Sequence, residues 1–289
     1  MMMALESKWI KRTSGATSDG YYEKNDSHLF LKLFNDSIPN DIIEQEYSFA
    51  KHIYNAGNIN IPKPLEILEI DNRKGIIFER INGKTFANLL QERLISLQDC
   101  AEEFAKEVIR LHDTPVDTTW LPTLYDEMKV SIDYVFLLPC TRRLLHRALE
   151  DVYDEFGQDV FLHGDLHPGN LMWSESGNYW IDIGNVGAGP AVFDLASAYT
   201  MLYFPLTYLF LKNQYGLTIK ESKQSFSYFL ESYLHTDDKK VIAQWNKKLC
   251  LCGALYTCDV VRKEKWSGAV KAGVKLLILM ICSQWRRYL

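Results

Sequence analysis

A short polar loop that follows an apolar segment constrains the fold of this chain most. It lies within the stretch Phe161-Leu-His-Gly-Asp-Leu-His-Pro-Gly-Asn-Leu-Met-Trp173. The apolar run from Val160 to Leu162 is typical of a short buried strand. The loop after it carries Asp165 and Asn170. The sequence therefore predicts that these two polar side chains follow a buried strand.

A hairpin is predicted directly after this loop. Leu171–Trp173 and Tyr179–Ile183 have the composition of two strands, and Ser174–Asn178 has that of the turn between them. A hairpin of this length brings its two ends together. Asn170, at the start of the first strand, is therefore expected to lie near Asp182, at the end of the second.

Two carboxylates and one amide are thus predicted to converge: Asp165, Asn170 and Asp182. Their oxygens are the ligands that hard divalent cations such as Mg²⁺ prefer. Phosphoryl transfer uses such a set, because one carboxylate orients and deprotonates the attacking hydroxyl while a carboxylate and an amide hold the metal. The pattern therefore predicts Asp165 as the catalytic base and Asn170 and Asp182 as metal ligands.

The spacing of these residues resembles that of kinases. The template is H-R-D-x-x-x-x-N followed by D-F-G, and this chain has His163-Gly-Asp165, Asn170 and Asp182-Ile-Gly184 at the same spacing. A glycine replaces the template arginine, and an isoleucine replaces the phenylalanine. This variant resembles the aminoglycoside phosphotransferase and choline kinase-like family, whose members are small-molecule kinases with the protein-kinase fold. The resemblance implies phosphorylation of a hydroxyl, with ATP or GTP and Mg²⁺ as cofactors.

A zinc hydrolase is the alternative interpretation of the loop. His163, Asp165 and His167 alternate along the chain and could bind a metal ion. No further histidine cluster follows, however, and the hairpin from Asn170 to Asp182 would be unexplained. We expect His163 to bond loop backbone. For His167 the choice stays open, with a local hydrogen bond favoured over catalysis.

A lysine inside an apolar strand indicates a second part of the site. Lys32 lies within the strand predicted over 28–34, and burying a lysine is costly unless it is paired. In kinases such a lysine contacts the α- and β-phosphates and a glutamate of the next helix. Helical spacing predicts that helix over 39–54. The resemblance favours Glu46 as the partner over Glu44; a lysine that faces water on an edge strand is the remaining alternative.

Small residues form a loop before this lysine, between a strand that starts at Trp9 and one that resumes at Tyr21. Such a loop lets backbone N–H groups approach phosphate oxygens. Its match to G-x-G-x-x-G is poor, so an ordinary hairpin turn is the alternative. The loop residues expected to meet the phosphates are Gly15, Ala16, Thr17 and Ser18.

Two further strands, Pro62–Ile70 and Gly75–Gly83, are predicted around a turn at Asp71–Gly75. The adenine contacts in this region are implied by the resemblance alone. It places Phe78 at the back of the adenine pocket, with the carbonyl of Glu79 and the N–H of Ile81 against the base.

Strands early in the chain and helices late in it indicate an α+β fold. We expect a two-lobed protein kinase-like fold, with a small N-terminal antiparallel β-sheet lobe that contains one helix and a larger, mostly helical C-terminal lobe. Residues 1–80 form the predicted nucleotide-binding lobe, and residues 81–289 the catalytic and substrate-binding lobe. The later helices are predicted over Phe86–Leu94, from Ser96 to near His112, over Val130–Leu138, over Arg142–Phe156, from Val192, and over Met201–Leu211, Lys220–Leu234, Lys239–Tyr256 and Trp266–Arg287.

Charge and composition narrow the expected partners and location. The net charge of −5 disfavours nucleic acid or an anionic membrane as the main partner. The apolar run Leu276–Cys282 is too short to span a bilayer, and the first eight residues lack a signal-peptide core. The six cysteines are scattered through apolar segments, which favours buried thiols in a reducing cytoplasm.

One departure from the family bears on the phosphate acceptor. Asn185 stands where many members have an acidic residue, which weakens the case for a polycationic aminoglycoside and leaves choline-like alcohols, amino acids, sugars and nucleosides open. Asp194 is expected to be structural, either at a helix dipole or as a brace for the catalytic loop. A nucleotide-binding pseudokinase is disfavoured because every catalytic position is filled. A protein kinase is disfavoured because no activation segment is recognisable.

Overall fold

The computed structural model describes residues 5–15, 17–25, 28–115, 117–135, 137–203 and 208–263. The chain forms two compact units. The first comprises Met1–Thr85 and Asn170–Asn185, and the second comprises Phe86–Gly169 and Val186–Leu289. The first unit thus extends beyond residue 80 and takes in the hairpin that follows the polar loop. The separate nucleotide and substrate roles of residues 1–80 and 81–289 stay predictions.

In the described chain, most strands come early and most helices come late. The strands are β1 (Trp9–Ser14), β2 (Ser18–Glu23), β3 (Leu29–Phe34), β4 (Pro64–Ile70), β5 (Arg73–Glu79), β6 (Gly83–Thr85), β7 (Val160–Leu162), β8 (Leu171–Ser174), β9 (Gly177–Trp180) and β10 (Gly187–Gly189). The helices are α1 (Leu5–Lys8), α2 (Asn40–Ala56), α3 (Phe86–Gln91), α4 (Leu97–Asp113), α5 (Leu124–Tyr134), α6 (Pro139–Phe156), α7 (Val192–Tyr203), α8 (Tyr208–Tyr215), α9 (Ile219–Tyr233) and α10 (Lys239–Lys263), with 3-10 turns at Pro168–Asn170 and Ile183–Asn185.

The described part of the first unit is built on a five-stranded antiparallel sheet in the order β1-β2-β3-β5-β4. Successive side chains of a strand point to opposite faces, so Leu31 and Leu33 share the face opposite to that of Lys32. Both leucines are fully buried and pack in a cluster with Trp9, Tyr21 and other apolar residues. Lys32 lies across from Ile76 in the pairing of β3 with β5. The sheet therefore holds Lys32 on a central strand and not on a solvated edge.

The turns of this unit are tighter than predicted. Strand β2 resumes at Ser18 and not at Tyr21. The β4–β5 turn consists of Asp71 and Asn72, with φ angles of 50° and 64°, and not of five residues. Aspartate and asparagine accept this left-handed backbone, which matches the twist of paired strands.

The later hairpin is tighter as well. Strand β9 begins at Gly177, so the turn predicted over 174–178 reduces to residues 175 and 176. Gly177 has a φ of 128°. Strand β6 pairs with β8 on its other side, which makes a three-stranded sheet within the described residues of the first unit.

Local signals set several helix ends. Ser96 caps α4 by accepting a 3.0 Å hydrogen bond from the N–H of Asp99. Helix α6 begins at Pro139 itself, because the missing N–H of proline costs nothing in the first turn. Helix α5 begins at Leu124 and not at Val130.

The last helices differ more from the prediction. The helix that begins at Val192 includes Met201 and ends at Tyr203, so no separate helix starts at Met201. Helix α10 runs to Lys263, seven residues beyond the predicted end at Tyr256. The helix predicted over 266–287 lies outside the described residues.

Within the part of the chain that the structure describes, the helices lack the length and apolar composition of a membrane span. The described cysteines carry thiols and no disulfide. Cys100, Cys252 and Cys258 are buried, and Cys250 is half-buried. Cys140 is exposed, contrary to the expectation of burial, because it lies in the first turn of α6.

Candidate active site

The first unit holds a buried ion cluster around Lys32. Its ammonium Nζ lies 2.6 Å from Oε1 of Glu46 and 2.6 Å from Oδ1 of Asp182. The side chains of Lys32 and Glu46 are 11% and 6% exposed, whereas that of Asp182 is 45% exposed. The pair predicted between Lys32 and Glu46 is confirmed, and Asp182 joins it as a second anion.

Two carboxylates thus share one ammonium, and this arrangement shifts the pKa values of Lys32 and Glu46. Burial by itself lowers the pKa of Lys32, but the charges of Asp182 and Glu46 outweigh burial and raise it above its ordinary value. Burial raises the pKa of Glu46, and the charge of Asp182 raises it further against the opposing effect of Lys32. With all three groups ionised, the cluster has two negative charges against one positive charge, which favours the approach of a cation.

The helix register supports Glu46 over Glu44. Glu46 is one of the buried residues of α2, while the side chain of Glu44 is 60% exposed and lies 2.9 Å from Lys74. The face of α2 that turns inward therefore carries one glutamate to Lys32 and leaves the other near the surface.

Gly184 leaves room for Glu46. It lies in the 3-10 turn Ile183–Asn185, which packs against α2. A Cβ atom at this position would lie 2.7 Å from Oε2 of Glu46, closer than real Cβ contacts allow. The glycine after Asp182 thus permits the close approach of Glu46.

Asn170 and Asp182 meet at the open ends of the hairpin. The N–H of Ile181 donates a 2.9 Å hydrogen bond to the carbonyl of Asn170, which fixes Asp182 one residue further along. Asp182 has a φ of 59°, a left-handed conformation that aspartate adopts more readily than most residues. A part-exposed carboxylate and an amide are oxygen donors that suit Mg²⁺, so this pair fits the predicted metal.

Asp165 lies in the second unit, on the loop after β7. Its N–H donates a 3.3 Å hydrogen bond to Nδ1 of His163, so His163 bonds loop backbone as expected. The hydroxyl of Tyr256 lies 3.4 Å from Oδ1 of Asp165. The N–H of Leu166 donates to Ser197, which ties the loop to α7. The convergence of Asp165 with Asn170 and Asp182 stays a prediction.

Asp194 braces the same loop from the first turn of α7. It is buried, and its two oxygens accept hydrogen bonds of 2.8 Å from the N–H of His163 and 2.9 Å from that of Gly164. Nε2 of His112 lies 3.2 Å from Asp194, and Nδ1 lies 2.9 Å from the hydroxyl of Tyr233. Burial raises the pKa of Tyr233, so the phenol keeps its proton and its O–H donates a hydrogen bond to Nδ1. His112 then donates through Nε2 to Asp194.

The remaining predicted residues lie in the first unit. Gly15 and Thr17 are in the β1–β2 turn, where the N–H of Gly15 donates to the carbonyl of Ser18, the first residue of β2. Ala16 lies outside the described residues. Phe78 is buried near the end of β5, Glu79 is its last residue, and Ile81 follows before β6. The nucleotide contacts of these residues stay predictions.

The structural role expected for Asp194 is present as a brace of the loop, but the sequence did not reveal that His112 and Tyr215 are partners of this region. His112 and Asp194 are 82 residues apart, and Tyr215 and His167 are 48 apart. A single histidine or tyrosine is a weak signal, because both residue types are often buried in ordinary cores. Among the described residues, no group of three or more histidine, cysteine, aspartate or glutamate side chains is placed to hold a metal ion, so the zinc interpretation has no such cluster there.

Comparison with known proteins identifies the family. The model of the phosphotransferase enzyme family, APH, matches residues 8–215. That is well over half of the chain, and the chain therefore belongs to this family. No curated protein matches the sequence. The predicted class of enzyme, a small-molecule kinase whose acceptor group is a hydroxyl, is confirmed at the level of the family.

Solved structures show the same fold. Ethanolamine kinase of Plasmodium vivax is 14% identical, with a TM-score of 0.60 over 96% of this chain and 82% of its own. The amicoumacin kinase hAmiN, in complex with AMP-PNP, Ca²⁺ and Ami, is 13% identical, with a TM-score of 0.56 over 98% and 90%. The GDP and kanamycin complex of APH(2")-IIIa is 13% identical, with a TM-score of 0.54 over 96% and 92%. These likenesses confirm the predicted kinase-like fold, with an antiparallel sheet first and a mostly helical part after it.

Proposed function

We propose that this protein transfers the terminal phosphate of ATP or GTP to a hydroxyl group of a small molecule, with Mg²⁺ as cofactor. The observation that carries this proposal is the cluster in which Lys32 Nζ lies 2.6 Å from both Glu46 and Asp182. A buried lysine paired with a helix glutamate is what kinases use on nucleotide phosphates. The family membership of the chain supports the same reaction.

Asp165 is the proposed catalytic residue. Its carboxylate accepts the proton of the acceptor hydroxyl as the oxygen attacks the terminal phosphorus, and the bond between that phosphorus and the nucleoside diphosphate breaks. Asp194 supports this step indirectly, because it holds two backbone N–H groups of the loop that carries Asp165. The loop therefore keeps its shape while the proton moves.

Asn170 and Asp182 are the proposed ligands of Mg²⁺, which neutralises charge on the phosphates when it is bound. Lys32 contacts the α- and β-phosphates, and Glu46 holds it in place. The turn of Gly15, Ala16, Thr17 and Ser18 is proposed to cover the phosphates. Phe78, Glu79 and Ile81 are proposed to receive the base.

Experiment must decide between ATP and GTP as the phosphate donor and must identify the acceptor. Similar structures were solved with AMP-PNP in one case and GDP in another. For the acceptor, the neutral Asn185 favours an alcohol without several positive charges, such as a choline-like alcohol, an amino acid, a sugar or a nucleoside. We place the reaction in the cytoplasm, because the described cysteines carry thiols.

The test is release of nucleoside diphosphate from ATP and from GTP over a panel of amines, sugars, amino acids, nucleosides and antibiotics. The Asp165→Asn variant is assayed in parallel. We expect turnover with at least one acceptor and a loss of about 10²–10⁴-fold in Asp165→Asn, because a general base contributes about that much. Nucleotide affinity should stay near that of wild type.

Two outcomes contradict the proposal. Turnover of Asp165→Asn within a few-fold of wild type excludes Asp165 as the base. Metal-dependent nucleotide binding without turnover on any acceptor indicates a nucleotide-binding switch instead of an enzyme.

A further inference from the structure

His167 follows Asp165 by two residues and has defined partners in the second unit. Its Nδ1 atom accepts a 3.0 Å hydrogen bond from the backbone N–H of Gly169. The same atom lies 2.8 Å from the hydroxyl of Tyr215, the last residue of α8. The local hydrogen bond expected for His167 is therefore present.

These two partners fix the tautomer of the ring. A backbone N–H group only donates, so Nδ1 must accept and cannot carry a hydrogen. Tyr215 is fully buried, and burial raises the pKa of its hydroxyl, so the phenol keeps its proton and also donates to Nδ1. The hydrogen of the neutral imidazole is therefore on Nε2.

Nε2 of His167 faces the proposed base. It lies 3.6 Å from Oδ2 of Asp165, and the two side chains are 12% and 26% exposed. This distance exceeds that of a hydrogen bond, but catalytic hydrogen bonds are often long before substrate binds and shorten in the complex. The other oxygen, Oδ1, lies 3.4 Å from the hydroxyl of Tyr256. Each oxygen of Asp165 thus has a different neighbour.

We propose that His167 is a positioning residue for phosphoryl transfer: its Nε2–H holds Oδ2 of Asp165 and fixes the rotation of the carboxylate that accepts the proton. Tyr215 and Gly169 orient the ring and keep the hydrogen on the side of Asp165. The inference rests on the proposed function, because it takes Asp165 as the base. His167 itself touches neither the acceptor nor the nucleotide in this proposal.

Two substitutions separate the two sides of the ring. His167→Asn keeps a polar atom near the position of Nδ1, so Gly169 and Tyr215 retain an acceptor, but it removes the donor toward Asp165. His167→Gln carries an amide nitrogen near the position of Nε2, so it keeps that donor and loses the acceptor. A role in the loop alone predicts damage in His167→Gln, and a role on Asp165 predicts damage in His167→Asn.

We expect His167→Asn to lower kcat by about ten-fold or more, because small misplacements of a catalytic group cost up to about 10². Its KM for the acceptor and its affinity for nucleotide should change by less than about three-fold. His167→Gln should retain a kcat several-fold above that of His167→Asn. Tyr215→Phe should fall between wild type and His167→Asn, since Gly169 still holds Nδ1.

Asp165→Asn, assayed beside them, separates the two proposals. If Asp165→Asn retains turnover, the proposed function fails. If Asp165→Asn is inactive while His167→Asn has wild-type kcat, the positioning role alone is wrong. Should His167→Asn not fold, as judged by its melting curve, the kcat of His167→Gln decides: a value within a few-fold of wild type supports the role, and a loss of ten-fold or more overturns it.

Discussion

At the scale of single residues, Asp182 makes a contact with Lys32 that the sequence did not predict. The sequence predicts it as a metal ligand, and the structure shows it on Lys32 as well, with 2.6 Å between Oδ1 and Nζ. Its side chain is nevertheless 45% exposed, so it can meet a cation. Lys32 therefore has two anions to satisfy it, and the loss of Asp182 leaves a balanced pair with Glu46.

Asp182→Ala should weaken nucleotide binding in the presence of Mg²⁺ far more than in its absence. The carboxylate acts through the cation in our proposal, so its loss appears in a metal titration. The melting temperature measured without Mg²⁺ should change little, because Lys32 keeps its ion pair with Glu46. Asp182→Asn, which keeps the shape but not the charge, is the matched control and should show the same metal dependence. Equal weakening with and without Mg²⁺ removes Asp182 from the metal site.

At the scale of elements, α2 and the 3-10 turn Ile183–Asn185 fit each other at one point. Glu46 of α2 lies where a side chain of Gly184 would be, and a Cβ atom there would come within 2.7 Å of Oε2 and 3.2 Å of Cδ. The atoms in the way belong to the flexible end of Glu46. A larger residue at this position should therefore displace the glutamate and leave the packing of α2 intact.

Gly184→Ala should reduce turnover and the affinity for nucleotide, and it should lower the melting temperature by no more than Glu46→Ala does, because the displaced group is the end of the Glu46 side chain. A double-mutant cycle with Glu46→Ala measures the cause. If displacement of Glu46 is the mechanism, Gly184→Ala has no further effect in the Glu46→Ala background. Additive effects on turnover would show that Gly184 acts in another way.

The sequence predicted elements with regular periodicity better than it predicted turns. Helix α2 and the pair of Lys32 with Glu46 follow from helical spacing and from the cost of a buried lysine. Turn lengths depend on left-handed residues such as Asp71 and Asn72, which composition marks only broadly. The brace from His112 was out of reach, because its partner lies on a helix far along the chain.

At the scale of the whole chain, the first unit is assembled from distant segments. Lys32 and Asp182 are separated by 150 residues, and the hairpin that carries Asp182 joins β6 in one sheet. Closing so long a loop has a cost in entropy that grows only slowly with length. In the charged cluster of Lys32, Glu46 and Asp182, the carboxylate of Glu46 is buried. The stability of the fold therefore depends on the positive charge of Lys32.

Lys32→Met should therefore destabilise the protein in a pH-dependent manner. The pKa of Glu46 is already raised from its ordinary 4.5, chiefly by burial, and removal of the opposing lysine raises it further. A carboxyl whose folded-state pKa exceeds its unfolded-state value gives stability that is present below the unfolded value and is lost as pH rises through the folded one. The loss can reach about 1.4 kcal/mol per pH unit across that window.

We expect the melting temperature of Lys32→Met to lie close to that of wild type near pH 5 and well below it near pH 8. As pH rises, Glu46 ionises in the unfolded chain, so folding of the variant must either keep the carboxyl protonated or bury it as an unpaired anion. The Lys32→Met/Glu46→Gln double variant should regain most of the stability lost at pH 8, since it buries no charge there. Lys32→Met/Glu44→Gln is the matched control and should regain none, because Glu44 is exposed. A deficit of Lys32→Met that is equal at both pH values, or unrelieved by Glu46→Gln, would show that Glu46 does not depend on Lys32 for its burial.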